Sequence, residues 1–311
     1  MKKHSIALLL LLVLLTGCGA KTEEAPWQTA YRETGKYLQE QDALSAGSVG
    51  GEWAVIGLSR AGLLSDETAQ SYEQTVEDYV KQAGSVRLHH AKSTENSRAI
   101  LGLTAAGYNA ANMAGVDLTA GLTDMAYLRA QGTNGPIWAL IALDCHGYDI
   151  PQCADGEEQT TCEGLVAEIL SYQCSDGGWA LMGDESDVDM TAMALTSLAP
   201  YQEETDIKAA VDAPLTYLSD AQQADGGFMS WGAANSESCA QVIVALTALG
   251  IDSAADSRFV KNGASPLDGL CAFACEGGGF RHSDEVWLPS RASTPWPPAT
   301  ASGRARHACS T

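Results

Sequence analysis

Basic residues are what this chain most conspicuously lacks. Lysine and arginine number 18 against 39 aspartates and glutamates, a formal net charge of −21. Such a surface repels nucleic-acid backbones and anionic lipid headgroups, which argues against nucleic acid as a partner and against direct adsorption to a membrane. Cysteine is present in nine copies, yet no two form a CxxC pair and no Cys/His spacing suits zinc. Strict apolar–polar alternation is also scarce, leaving little room for β-structure. The long uncharged apolar run Ile6–Leu15 is only about half the length of a membrane-spanning helix.

That run follows Lys2 and Lys3 and ends at Leu15-Thr16-Gly17-Cys18. A positive start, an apolar stretch and small residues before a cysteine together read as a lipoprotein signal peptide. Residues 1–17 are then removed, Cys18 is lipidated, and palmitate-like chains hold the protein to a membrane. Residues 18–27 form a polar tether, and the body lies on the extracytoplasmic face. Loss of the two lysines takes the mature chain to −23. Of the remaining cysteines, Cys153 and Cys162 lie close together in a polar loop where a disulfide is open to them. Most of the others sit in apolar helix-like stretches and read as buried thiols.

From residue 28 onward the pattern is helical. An apolar run recurs, each copy ending in a glycine or another small residue. The runs start at Trp53, Ser97, Gly135, Val188 and Cys239, and end at Gly62, Gly107, Gly147, Ala199 and Gly250. The ends are 45, 40, 52 and 51 residues apart, a period that signals stacked helical repeats. More amphipathic helices are expected between them, over 66–82, 118–131, 161–173 and 205–223. Apolar helices with no polar face must be buried on all sides, and the amphipathic ones can cover them. An inner ring inside an outer ring follows, with a straight solenoid as the other arrangement.

A second repeat sets the register. Gln173-Cys-Ser-Asp-Gly-Gly-Trp179 matches Gln222-Gln-Ala-Asp-Gly-Gly-Phe228, and Cys275-Glu-Gly-Gly-Gly-Phe280 is a weaker copy. The glycines suit a tight turn and the aromatic suits a plug between layers. This pattern resembles the repeat motif of squalene cyclases and protein prenyltransferases, a superfamily that also contains the cobalamin carriers. The resemblance covers about residues 28–285. It implies an all-α fold, an α/α toroid of six helix pairs.

Three kinds of chemistry are weighed within that superfamily. Asp187-Val-Asp-Met-Thr-Ala-Met-Ala-Leu195 resembles the D-x-D-D-T-A acid motif of squalene-hopene cyclases. Asp187 and Asp189 occupy its first two acidic positions, and Met190 replaces the third. That chemistry needs a carboxylic acid kept protonated in an apolar cavity. Aromatics to line such a cavity make up only 7% of the chain, and the two aspartates are also placed to cap a helix. A prenyltransferase zinc site would need Asp268, Cys271 and His282, whose order does not fit. Cys239-Ala240-Gln241 is one residue short of a thioester loop. The same stretch is also similar to the V-D-x-x-A-M-A segment of the transcobalamin and intrinsic-factor family. Val188, Asp189, Ala192, Met193 and Ala194 match it, and the match ends at Thr196 and Ser197.

Residues 286–311 change character. They hold no acid, three arginines and four of the ten prolines. A disordered basic tail is one reading; the product of a shifted reading frame is the sharper one. Trp287 to Arg291, back-translated as TGG CTA CCG AGC AGG with one A prefixed, reads Met-Ala-Thr-Glu-Gln. Through Pro298 the codons permit Gly-Phe-Tyr-Ala-Leu-Ala-Ala, an apolar run where a sixth inner helix is due. The toroid as written would therefore have lost its last inner helix.

The expectation is a surface lipoprotein acting as a non-catalytic ligand-binding or scaffold module, with a corrinoid as the leading ligand and no other cofactor. Trp179 and Trp231, both near glycine turns, are its candidate ligand contacts. The alternative is a cyclase- or prenyltransferase-like enzyme acting on an isoprenoid, with Asp187 and Asp189 as residual acids.

Overall fold

The computed structural model describes residues 24–41 and 44–283. The signal peptide, Cys18, most of the tether and residues 286–311 lie outside the described residues. What is described is mostly helical, with one two-stranded hairpin as its only sheet.

The apolar runs become α2 (Val49–Arg60), α4 (Thr94–Ala105), α6 (Asn134–Asp144), α8 (Val188–Leu198) and α10 (Ser236–Ala248). Alternating with them are α1 (Pro26–Gln39), α3 (Asp66–Ala83), α5 (Met125–Arg129), α7 (Cys162–Ser171), α9 (Thr205–Ala221) and α11 (Pro266–Cys271). Short side chains start many of them by accepting free amides. Ser48 takes Gly51 N at 3.0 Å, Thr161 takes Gly164 N at 2.9 Å, and Asn235 takes Ser238 N at 2.7 Å.

Four of the apolar-run helices stop by one device. Gly62, Gly107, Gly147 and Gly250 adopt left-handed backbone just past the helix, where a side chain would be strained. The next residue then donates its amide back five positions, as in Leu63→Leu58 at 2.8 Å and Tyr108→Leu103 at 2.9 Å. Tyr148 and Ile251 repeat the bond. The fifth helix, α8, runs instead into a 3-10 turn at Ala199–Tyr201, where Pro200 has no amide to donate.

The helices of the apolar runs touch in chain order: α2 with α4, α4 with α6, α6 with α8, and α8 with α10. The alternating helices α3, α7 and α9 lie against α4, α6 and α8. The succession then passes from α10 to α11, from α11 to α1, and from α1 back to α2. Trp53 on α2 and Trp138 on α6 meet with ring centroids 5.2 Å apart, filling space across α4.

The glycine turns show how successive repeats are joined. The Gln173 amide donates to its own turn at Gly177 O and forward to Ala210 O on α9, at 2.8 and 2.9 Å. Gln222 does the same to Gly226 O and Phe259 O, at 3.1 and 2.9 Å. A Cβ on Gly177 would stand 2.6 Å from Ala213, and one on Gly226 only 2.1 Å from Ser265 O, so both sites require glycine. The third turn makes the equivalent approach to the first helix: Gly278 faces Glu33 O on α1, and Gly279 N donates to Thr34 Oγ1 at 3.0 Å. The start of the described chain therefore packs against the last described glycine turn.

Some expectations shift in detail. The helix foreseen over 118–131 divides into a 3-10 turn, Leu118–Leu122, and α5. Asp117 and Asp124 each accept an amide two residues ahead, from Thr119 and Ala126, and so start two separate elements. The helices of the apolar runs are not buried on every side either. Val244 on α10 is half-exposed, because α8 covers one flank of α10 and only short α11 reaches the other. Cys145, Cys153, Cys162, Cys174, Cys239 and Cys271 are free thiols, of which only Cys174 and Cys239 are buried.

Candidate functional site

The loops that lead into α8 and α10 gather most of the residues singled out in the sequence. Asp187 caps α8: its Oδ1 accepts Asp189 N at 3.0 Å and Met190 N at 3.1 Å. Its second oxygen takes the Ser230 hydroxyl at 2.5 Å, tying α8 to the hairpin β1 (Met229–Ser230) and β2 (Ala233–Ala234). Every strong acceptor position on Asp187 is thus committed to structure.

Asp189 is different. Its carboxyl is half-buried, and Oδ1 has no hydrogen-bond partner among the described residues. Burial holds it above the usual carboxylate range, opposed by the neighbouring Ser238 hydroxyl and reinforced by the charge of Asp187. Ser238 is itself fully buried with an unpaired Oγ. Beyond them, Glu237 accepts from or pairs with His282 Nδ1 at 2.8 Å. Burial also pushes the Cys239 thiol up to about 11, so it is no nucleophile at neutral pH.

The two tryptophans are not brought together. Trp179 is fully buried and donates its indole N–H to Ile169 O at 2.7 Å; it plugs the gap between α7 and α8. Phe228 is fully buried at the matching place in the next repeat. Trp231 is 86% exposed at the tip of the hairpin. It has φ 54°, followed by Gly232 at 84°, the backbone of a turn that asparagine-glycine makes most easily. A tryptophan held there is costly, and such outliers concentrate at functional sites. Met229 is exposed beside it in sequence, and Met182 is 81% exposed in the loop before α8.

The three zinc candidates are also apart in role. Asp268 closes a capping box with Ser265, Cys271 lines a groove beside α1, and His282 faces Glu237. Among the described residues no cluster of His, Cys, Asp and Glu is arranged to hold a metal ion. None of their helices is long and apolar enough to cross a membrane.

That groove is a second feature. It encloses about 260 Å³ between α1, α2 and α11, with Phe280 at its end and no charged lining residue. The expectation of a lost inner helix pointed to this seam. The forward hydrogen bonds of Gln173 and Gln222 were not foreseen, although the recurrence of glutamine at both positions was the available signal. Trp231-Gly232 was a turn signal of the same kind.

No family model matches the chain, and no curated protein matches it.

Proposed function

We propose that the chain is an α/α toroid and that it works as a surface lipoprotein, held through Cys18, that binds a small molecule without transforming it. The arrangement is supported by the helix contacts that return from α11 to α1, and by turn glycines that meet the next outer helix three times over. The binding surface is the mouth formed by the loops before the inner helices. One observation carries this reading: a nearly fully exposed tryptophan is kept in a backbone conformation that a smaller residue would adopt at less cost. With Met182 and Met229, exposed on the two loops that the Ser230–Asp187 bond ties together, it offers large, polarisable apolar surface suited to the flat face of a corrinoid.

Titration of the full-length protein in detergent with a cobalamin, followed by difference absorption, tests the proposal. Binding at micromolar ligand that Trp231→Asn weakens at least tenfold is expected. The substitution makes an Asn-Gly turn and should leave the fold intact or stabilise it by about 0.5–1 kcal/mol. No spectral change at micromolar ligand sinks the corrinoid reading.

An isoprenoid-cyclising activity is the second reading, favoured by the half-buried Asp189 carboxyl held towards its protonated form. Cyclic products from squalene or a shorter polyprene, abolished by Asp189→Asn, would establish it in place of the first.

A further inference from the structure

We infer that the apolar groove between α1, α2 and α11 is the seat of a sixth inner helix. Its occupant is the segment Met-Ala-Thr-Glu-Gln-Gly-Phe-Tyr-Ala-Leu-Ala-Ala, which the codons of residues 287–298 permit one nucleotide out of frame. The order of elements locates it. An outer helix, a glycine turn and an inner helix follow one another in α7 to α8 and again in α9 to α10. The outer helix α11 and the turn 275–280 begin a third such unit, so an inner helix is due directly after Phe280.

The neighbours of that place lack a partner there. Helix α2 has α4 on one flank and α10 has α8, but the main contacts that link α2 with α10 pass through α11 and α1. The groove walls are apolar and partly small, with Ala30 and Gly35 on α1, Gly57 and Ala61 on α2, and Leu270 on α11. Small residues let a helix backbone approach closely, and the lack of any charged side chain suits an apolar helix over a polar ligand.

Length and composition fit the offset frame and not the written one. The five inner helices have 12, 12, 11, 11 and 13 residues. The offset segment supplies a similar run, about 18 Å of helix at 1.5 Å per residue. It is apolar over most of its surface, as α6 is. Residues 286–298 as written contain four prolines, and a proline inside a helix removes a backbone bond and clashes with the preceding turn. The required first base, A, is available as the third base of a GTA codon for Val286.

The test adds the synthetic twelve-residue peptide, capped at both ends and fluorescently labelled, to the full-length chain in detergent. Saturable binding at micromolar peptide and a rise of several degrees in the thermal midpoint are expected. A peptide of the same composition in scrambled order should bind at least tenfold more weakly. Leu270→Arg in the groove should have the same effect on the true peptide. Tyr31→Arg, at a groove residue that is 58% exposed, is the second variant should Leu270→Arg lose its helical circular dichroism. Equal binding of the scrambled peptide, or indifference to both substitutions, overturns the inference. So does a stable dimer of the chain that the peptide fails to dissociate, since a second copy would then own the groove. Resequencing across the Val286 codon gives an independent reading, and the frame-restored chain should melt above the written one and no longer bind the peptide.

Discussion

Replacing Asp187 separates a structural carboxylate from a chemical one. Asp187→Ala removes the acceptor for the amides of Asp189 and Met190, the first free donors of α8. Loss of such a cap costs about 0.5–2 kcal/mol. It also strands the Ser230 hydroxyl, which is buried and has Asp187 as its acceptor. An orphaned buried hydroxyl adds about 1–3 kcal/mol. Together these come to roughly 2–4 kcal/mol, a large share of the 5–15 kcal/mol that holds a typical domain. Asp187→Asn keeps an amide-accepting oxygen and lets its NH2 group donate to Ser230, so its cost should stay below about 1 kcal/mol. Urea unfolding followed by far-ultraviolet circular dichroism at neutral pH measures both. A midpoint for Asp187→Ala within error of the parent, or equal losses for the two variants, would refute the capping argument.

Asp189→Asn should stabilise the protein at neutral pH and progressively less as the solution is acidified. Burial raises the folded carboxyl above its unfolded value, so the wild-type contribution is present below the ordinary carboxylate range and lost as pH rises through the raised value. Thermal midpoints of the two proteins across that range check it, and a gap that widens towards acid contradicts it. Trp179→Ala, which empties a fully buried plug and abandons Ile169 O, should cost at least about 3–5 kcal/mol, with Trp179→Phe much milder. Equal denaturation midpoints for those two would mean the plug is not packed as described. Cys18→Ala should leave an uncleaved precursor or release the protein from membranes on fractionation; normal processing with unchanged partitioning rules out the lipobox.

Much of the helical layout could be read from the residues, because burial imposes it. A run such as Ile137 to Leu143 has no polar face, and only an inner position removes it from water on most sides. The stops were legible for a local reason: Gly62, Gly107, Gly147 and Gly250 are each forced into left-handed backbone. What escaped the sequence is long-range. Nothing local tells Gln173 to reach Ala210, or Arg87 to join Asp124 and Glu157, since each partner is brought near only by packing. The site was legible in part for the same reason. Asp187 announced itself as a cap by standing just before an apolar run, whereas the unpaired Ser238 hydroxyl beside Asp189 depends on how α10 lies against α8.

The hydrogen bond from Gly279 to Thr34 joins residues 245 positions apart. Closing so long a stretch of flexible chain costs on the order of 5 kcal/mol in entropy, recovered only when the last turn docks. Folding should therefore be slow at that step, after local helix pairs have already formed. The same joint means that the first described helix, α1, has no special place in the architecture. A circular permutant, opened in the exposed polar loop near Asp155 and joined across the α11–α1 contact by a short flexible linker, would have the closing step made covalent. It should reach the same packing sooner, which would mark the order of synthesis as incidental to the finished shape.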